Sequence, residues 1–441
     1  MSMNHLQLFL PCAGGVEELL GHEVHGITKQ PVSVVRGGVM LEGSWRDVMQ
    51  LNLWSRLAVR VLVQLQHRPY RDEKDLYAAA SEVAWELWFT NKNTFKIDMT
   101  SQHSPLKSLN FAALTIKDAI ADRFRHKSGA RPDVDTHWPH VRVHAHLNTD
   151  TVTLYIDTSG EPLFKRGWRQ DKGDAPLKET LAAAMLAASG WSPEQPLYDP
   201  CCGSGTIAIE AAQMALNIAP GLQRPFAFER YLPFQKHVWE PIHEQAATTA
   251  TAGPANDKEI TIFGSDVAHR MVDFAQRNAE RAGVAHAVQL RGGDALQRMP
   301  PCSTERKPVM MINPPYGERI DVAGIAGRPR DADRYAPVNV PAGVPSSAHA
   351  SAPQSVDSDD FFVQLATHWK THFDGWTAWI LAPDMKLPGR MRLKESRRVP
   401  MWNGPIECRL FRFDVQGRRP PTAKDKPPSA VYAASAQDGT Q

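Results

Sequence analysis

Hydrophobic and polar positions in this chain follow two different organisations, and the change comes after residue 160. In the first part, short alternating runs are interleaved with helical stripes. Leu6–Leu10 and Gly38–Leu41 predict strands around a helix at Val16–Leu20. Trp45–Leu57 predicts a second helix, Val59–Leu65 a strand, Leu76–Leu87 a helix and Thr94–Met99 an extended piece. Ser108–Arg125 carries the stripe of a long amphipathic helix. Val141–Leu147 and Thr151–Asp157 predict a hairpin around Asn148-Thr149-Asp150. The pattern is α+β, and it holds no cluster of side chains suited to chemistry.

From the alanine-rich helix Lys178–Ala188 onward, apolar strands alternate with long helical stretches, the signature of a parallel, doubly wound sheet. The expected architecture is therefore an α+β N-terminal region followed by an α/β Rossmann-like domain. Boundaries are expected at 1–60, 61–160, a hinge at 161–176 and the α/β domain at 177–416. Two inserts, 243–258 and 328–357, are rich in Ala, Thr, Pro and Ser and predict surface loops. Residues 417–441 predict a disordered tail.

Composition narrows the picture only a little. The chain has 441 residues, enough for two or three domains, and 42% are apolar, enough for sizeable cores. No stretch approaches the ~20 apolar residues of a membrane span, so no membrane association is expected. The start, MSMNHLQLFLPCAGG, lacks a basic region before its apolar run, and no signal peptide is expected. Five scattered cysteines, at 12, 201, 202, 302 and 408, suggest neither a disulfide framework nor a metal site. A cytoplasmic location and a monomer follow as the simple expectations. Net charge is +2, but from Lys386 onward twelve Lys/Arg face five Asp/Glu, a basic edge that suits a phosphate-bearing partner as well as it suits a solvated surface.

Two turns carry candidate chemistry. Asp199-Pro200-Cys201-Cys202-Gly203-Ser204-Gly205-Thr206 joins a strand to the helix Ile207–Leu216. Gly203 and Gly205 permit a tight turn and close ligand approach, and the helix start offers free N–H groups. A P-loop is excluded because Thr206 follows Gly205 with no preceding lysine. The looser dinucleotide spacing is met, but Asp199 would repel a pyrophosphate and attract an ammonium group, which favours S-adenosylmethionine. Asp266 ends the apolar run from Ile262 and could accept from ribose hydroxyls. Asp294 could accept from the adenine amine, with Ala295 packed on the ring. Each acid alone is more often a cap or turn residue; three in order, each after a strand, favour the cofactor. Cys201 and Cys202 read as packing residues. The fourth strand, Val309–Ile312, then runs into Asn313-Pro314-Pro315-Tyr316, a rigid polar pocket with a stacking face and no acid, base or nucleophile.

These motifs, in this order, resemble the amino-methyltransferase branch of the S-adenosylmethionine-dependent methyltransferases. The longer string Asn313–Arg319 resembles the bacterial RlmL type, which methylates N2 of a guanosine in 23S ribosomal RNA. The resemblance implies a ferredoxin-like piece and a THUMP RNA-binding domain in the first part. It implies cofactor contacts from Asp199, Pro200, Cys201, Gly203, Gly205, Thr206, Asp266, Asp294 and Ala295. It also implies a target-base pocket from Asn313, Pro314, Pro315 and Tyr316, with no metal. Asn313 and the Pro314 carbonyl would accept from the amine and Tyr316 would stack on the base. The partner would be 23S rRNA or the large-subunit precursor. In the basic string Lys165-Arg166-Gly167-Trp168-Arg169, the residues Lys165, Arg166 and Arg169 are candidate RNA contacts. Some members are fusions with a second methyltransferase making 7-methylguanosine; only N2 activity is expected of this chain. The competing readings are a tRNA guanine-N2 enzyme, an adenine-N6 DNA methyltransferase and a non-enzymatic RNA-binding protein.

Overall fold

In the computed structural model of the chain, residues 5–173, 176–252, 261–314 and 358–417 are described. Insert 328–357, Pro315, Tyr316 and all of the tail except Gly417 lie outside them.

The N-terminal half runs β1 (Leu6–Pro11), α1 (Glu17–Thr28), β2 (Val32–Val35), β3 (Gly38–Gly43), α2 (Trp45–Trp54), β4 (Leu62–Pro69), α3 (Glu73–Glu82), β5 (Phe95–Ser101), α4 (Leu109–Ser128), β6 (Val141–Leu147) and β7 (Thr151–Asp157). All seven strands form one sheet, ordered β2-β3-β1-β4-β7-β6-β5, antiparallel except for β5–β6. The expected boundary near residue 60 thus falls inside a continuous sheet, where β4 hydrogen-bonds to β1 on one side and β7 on the other. Helix α2 begins on a capping box between Ser44 and Asp47. It stops three residues before the expected Leu57, because Glu23 draws the chain away. That carboxylate accepts from the Ser55 hydroxyl and the Arg56 and Leu57 N–H groups at 2.7, 2.8 and 3.3 Å.

The second half runs α5 (Glu179–Ser189), β8 (Leu197–Asp199), α6 (Thr206–Ala215), α7 (Lys236–Ala252), β9 (Ile262–Asp266), α8 (His269–Arg281), β10 (Val288–Gly292), β11 (Val309–Ile312), α9 (Ser358–His372), β12 (Thr377–Ala382), α10 (Leu387–Met391), β13 (Arg397–Asn403) and β14 (Ile406–Asp414). The sheet order is β10-β9-β8-β11-β12-β14-β13, with β14 antiparallel to both neighbours and the other pairs parallel. The direction of winding reverses between β8 and β11, which is where open α/β sheets bind ligands. Among the described residues no helix is long and apolar enough to cross a membrane.

Two expectations fail here. Residues 243–252 are not a loop but the second part of α7. Alanine is the best helix former, and Thr248 and Thr249 return their hydroxyls to carbonyls four residues back at 2.9 and 2.8 Å. Nor is 161–173 a loose hinge. Trp168 and Arg166 are almost fully buried. The Arg166 guanidinium meets Glu210 of α6 at 3.2 Å and donates to the carbonyls of Arg56 and Leu163. Arg56 joins the same carboxylate and also reaches the carbonyls of Gln213 in the last turn of α6 and of Ile218 just beyond it. One apolar core runs from β1 and α2 through α5 and α6, so the two halves share their interior. They meet again where the Gly14 carbonyl accepts from Trp402 N–H of β13 at 3.2 Å. There Gly15 holds φ +81, and a Cβ would lie 2.2 Å from the Pro400 carbonyl oxygen.

Candidate functional site

The site is built on the turn after β8. Asp199 is buried, and its Oδ1 accepts from Cys201 N–H at 3.1 Å. The Cys202 N–H donates to the Ser265 carbonyl of β9, and Gly203 N–H donates to Asp266 Oδ2 at 3.0 Å. The acid ending β9 therefore holds the turn leaving β8 while its other oxygen caps Ala268 N–H at 2.9 Å. Gly205 sits at φ +87 as the residue before α6, and a Cβ there would press within 3.0 Å of Ala275 on α8. Only glycine meets both conditions. Pro200 and Cys201 complete the turn, and Thr206 opens α6 with its backbone donors.

Burial sets the protonation of this corner. It pushes the Asp199 carboxyl from 3.8 up to about 8, opposed by the Cys201 N–H and helped by the nearby Asp266 charge. Asp266 is raised as well, again by burial. Both Cys201 and Cys202 thiols are driven well above their ordinary range by burial and then by the surrounding acids. These are thiols, not thiolates, in keeping with packing residues.

Asp294 follows β10 on the same edge of the sheet. Its carboxylate accepts from Leu296 N–H at 2.9 Å, and Ala295 packs into the apolar cluster around β11 and β12. Asn313 and the buried Pro314 leave β11, which pairs in parallel with β8 through Val309↔Leu197 and Met310↔Tyr198. The structure therefore brings Asp199, Asp266, Asp294 and Asn313 to the C-terminal ends of four adjacent strands. Pro315 and Tyr316 lie outside the described residues. Among the described residues no group of three His, Cys, Asp or Glu side chains could hold a metal ion.

Two of the three cations expected at RNA are engaged within the protein. Arg166 is 2% exposed and bound to Glu210, so no phosphate reaches it. Arg169 is a brace. It donates to Ser204 Oγ at 3.1 Å and Thr206 Oγ1 at 2.8 Å in the turn, to Glu179 at 2.7 Å in α5, and to the Leu177 carbonyl at 3.1 Å, with its face on Trp168. Lys165 is exposed and paired with Glu161. A second brace escaped the sequence reading. Asn278 of α8, fully buried, donates to the Ser204 and Asp171 carbonyls at 3.1 and 2.8 Å and accepts from the Gln170 and Asp171 N–H groups. An asparagine in the polar string Gln276–Arg281 gives no local signal of that task.

Comparisons with known proteins bear on this arrangement. The model of the RlmL ferredoxin-like domain matches residues 7–62, that of the THUMP domain 70–157, and that of the RMKL-like methyltransferase domain 166–326. A ribosomal RNA large subunit methyltransferase K/L of Psychromonas ingrahamii is 35% identical over 416 residues, covering 94% of this chain and 51% of the relative. The protein of the same description from Shewanella pealeana is 36% identical over 413 residues, covering 93% and 53%. The chain spans about half the length of these curated relatives. The crystal structure of SMU.472 complexed with S-adenosylhomocysteine superposes with a TM-score of 0.76 at 26% identity, covering 94% of this chain and 99% of that one.

Proposed function

We propose, from the premise that the chain belongs to the RMKL-like methyltransferases carrying THUMP and RlmL ferredoxin-like domains, that it uses S-adenosylmethionine to methylate N2 of a guanosine in 23S rRNA. One observation carries the reading. The Asn313-Pro314 pair leaves the strand next to the one that ends in the Asp199–Thr206 turn, at the point where the sheet reverses. The residues fit the cofactor: strand-end carboxyls of Asp199, Asp266 and Asp294 suit an ammonium group, a ribose and an exocyclic amine, and the start of α6 offers N–H groups. When bound, it supplies a methyl on sulfonium sulfur, so that the N2 lone pair forms an N–C bond as the C–S bond breaks and N2 releases a proton to solvent. Asn313 and the Pro314 carbonyl accept from the amine and orient its lone pair. The substrate is 23S rRNA or its large-subunit precursor, and the cellular site the cytoplasm. The first half grips the RNA by shape and phosphates, and the target base leaves its stack.

The test is transfer of a tritiated methyl to naked 23S rRNA, tRNA and duplex DNA, followed by nucleoside analysis. N2-methylguanosine from the rRNA arm is expected. Label confined to tRNA, or N6-methyladenosine in DNA, would replace this reading with its rivals.

Two further outcomes follow. Arg169→Lys keeps a charge but loses the fork, and should weaken S-adenosylhomocysteine binding about tenfold, the value of one charged hydrogen bond. Titration calorimetry measures it; unchanged affinity would make the brace dispensable. The second concerns pH. Because the Asp199 pKa in the folded protein is raised from 3.8 to about 8, the folded state keeps a proton that the unfolded chain has lost. This group therefore lowers stability progressively between those two values as pH rises. An ammonium ligand favours the ionised carboxylate, so S-adenosylhomocysteine affinity should climb as pH rises toward 8, with proton release on binding. Asp199→Asn should flatten the profile, as calorimetry in buffers of differing ionisation enthalpy would reveal.

A further inference from the structure

A cavity of about 640 Å³ adjoins the cofactor turn without belonging to it. One wall is the segment after β7, from Glu161 to Lys172; the other is Pro176–Glu179 at the start of α5; Arg224 and Pro225 close it. Its lining holds six cationic and two acidic side chains, so the question is which charges remain after pairing. Lys165 pairs with Glu161, Arg169 with Glu179, and Arg166 with Glu210. Arg224, Lys172 and Lys178 are left to set the field.

Arg224 is buried, and backbone oxygens alone hold its two terminal nitrogens. They donate to the carbonyls of Ser159, Glu161, Pro162 and Lys165 at 3.0, 2.6, 2.7 and 3.1 Å, while Nε is buried with no partner. Burial lowers its pKa to about 10, which leaves it charged at neutral pH. Lys172 and Lys178 are exposed at the rim, and Lys178 Nζ stands 5.2 Å from the centroid of the half-buried Phe164 ring. A buried cation in the floor, exposed cations on the rim and an aromatic face are the elements of a nucleotide pocket. Its position agrees. The cavity lies between the end of the THUMP half and the turn that Arg169 braces.

We propose that this cavity receives a nucleotide of the RNA strand next to the target guanosine, its phosphate facing Lys172 and Lys178 within the positive field of the buried Arg224 and its base against Phe164. This rests on the RNA methyltransferase reading above and adds a second RNA pocket to it. The ligand class is a single-stranded phosphodiester, recognised by charge and stacking and not by base edges.

The experiment uses the full chain and a 23S rRNA transcript. Filter binding across a salt series is compared for wild type, the double variant Lys172→Gln/Lys178→Gln, and Phe164→Leu. Calorimetry with S-adenosylhomocysteine reports on folding and on the cofactor turn. In the double variant the slope of log affinity against log salt should fall by roughly one to two, as expected when contacts to one or two phosphates are lost. Phe164→Leu should lose on the order of tenfold in RNA affinity with its slope unchanged. Both should bind S-adenosylhomocysteine as wild type does. Wild-type RNA affinity and slope in the variants would overturn the pocket, as would a parallel loss of S-adenosylhomocysteine affinity, which would assign these side chains to the cofactor turn. The two readings separate cleanly. If the wild type makes N2-methylguanosine and the variants bind RNA unchanged, the pocket alone fails. If the variants lose RNA affinity but the wild type makes no N2-methylguanosine, the pocket stands and the reaction assignment falls. A wild type that binds no RNA overturns both.

Discussion

Asn313→Ala should slow methyl transfer by about a hundredfold or more, with S-adenosylhomocysteine affinity unchanged. The N2 lone pair of guanine is delocalised into the ring, so the amine becomes a better hydrogen-bond donor as positive charge develops during attack. An acceptor fixed beside it gains strength at that moment, and such a group is worth about 2.7–4 kcal/mol. Asn313, the acceptor in the proposed reaction, stands between the fully buried Ile312 and the buried Pro314. Proline also fixes its own φ, which limits reorganisation in the loop. The competing role is a turn cap. A cap would cost stability and leave the single-turnover rate at saturating RNA and cofactor near wild type. That rate, measured on folded protein, decides between the two.

The second large effect is on stability. Arg166→Met should lower it by about 3–5 kcal/mol, read as a drop in the urea midpoint. The Glu210 carboxylate is completely buried and is met by Arg166 at 3.2 Å and by Arg56 at 3.6 Å. Removing Arg166 leaves one longer contact to balance a charge with no access to water. It also strands the Arg56 and Leu163 carbonyls that the guanidinium served. Adding Glu210→Leu to Arg166→Met should recover part of the loss, because the buried charge goes with its partner. If Arg166→Met kept wild-type stability and lost RNA affinity instead, Arg166 would return to the nucleic-acid surface.

The strand-end half of the candidate site was legible because its signals are local. Val309–Ile312 is a short apolar run covered on both faces and followed by Asn313, and Ile262–Asp266 is a buried run that ends on the partly exposed Asp266. The Gly203 and Gly205 turn announces itself by spacing alone. What the sequence hid depends on partners far along the chain. The basic string around Trp168 looks like a solvated linker. The acids that neutralise it, Glu179 and Glu210, stand on the buried faces of two helices. Asn278 is likewise defined only by what α8 packs against. The C-terminal basic edge, which suits a solvated surface as well as a phosphate-bearing partner, is also paired in part. In β14 the arginines alternate with buried Leu410, Phe411 and Phe413. Arg409 and Arg412 pair with Glu407 and Asp414 and lie over Trp402 and Trp379. Arginine stems covering aromatic rings on a strand next to the sheet edge look, in one dimension, like a phosphate-binding run.

The Gly14–Trp402 contact has a kinetic consequence. It joins the turn after the first strand to a strand hundreds of residues later, so it cannot form on the ribosome until Trp402 has emerged. The N-terminal sheet can assemble early from its own strands, but the faces of β1 and α2 that share the common core must wait for α5 and α6. Loop closure over such a separation costs only slightly more than over half of it. The delay therefore comes mainly from synthesis, and the vulnerable species is a nascent chain with an apolar flank uncovered. Gly15→Ala, strained at φ +81 and set against the Pro400 carbonyl, would prolong that interval, leaving more chain for chaperones and proteases to intercept even where the finished protein still folds.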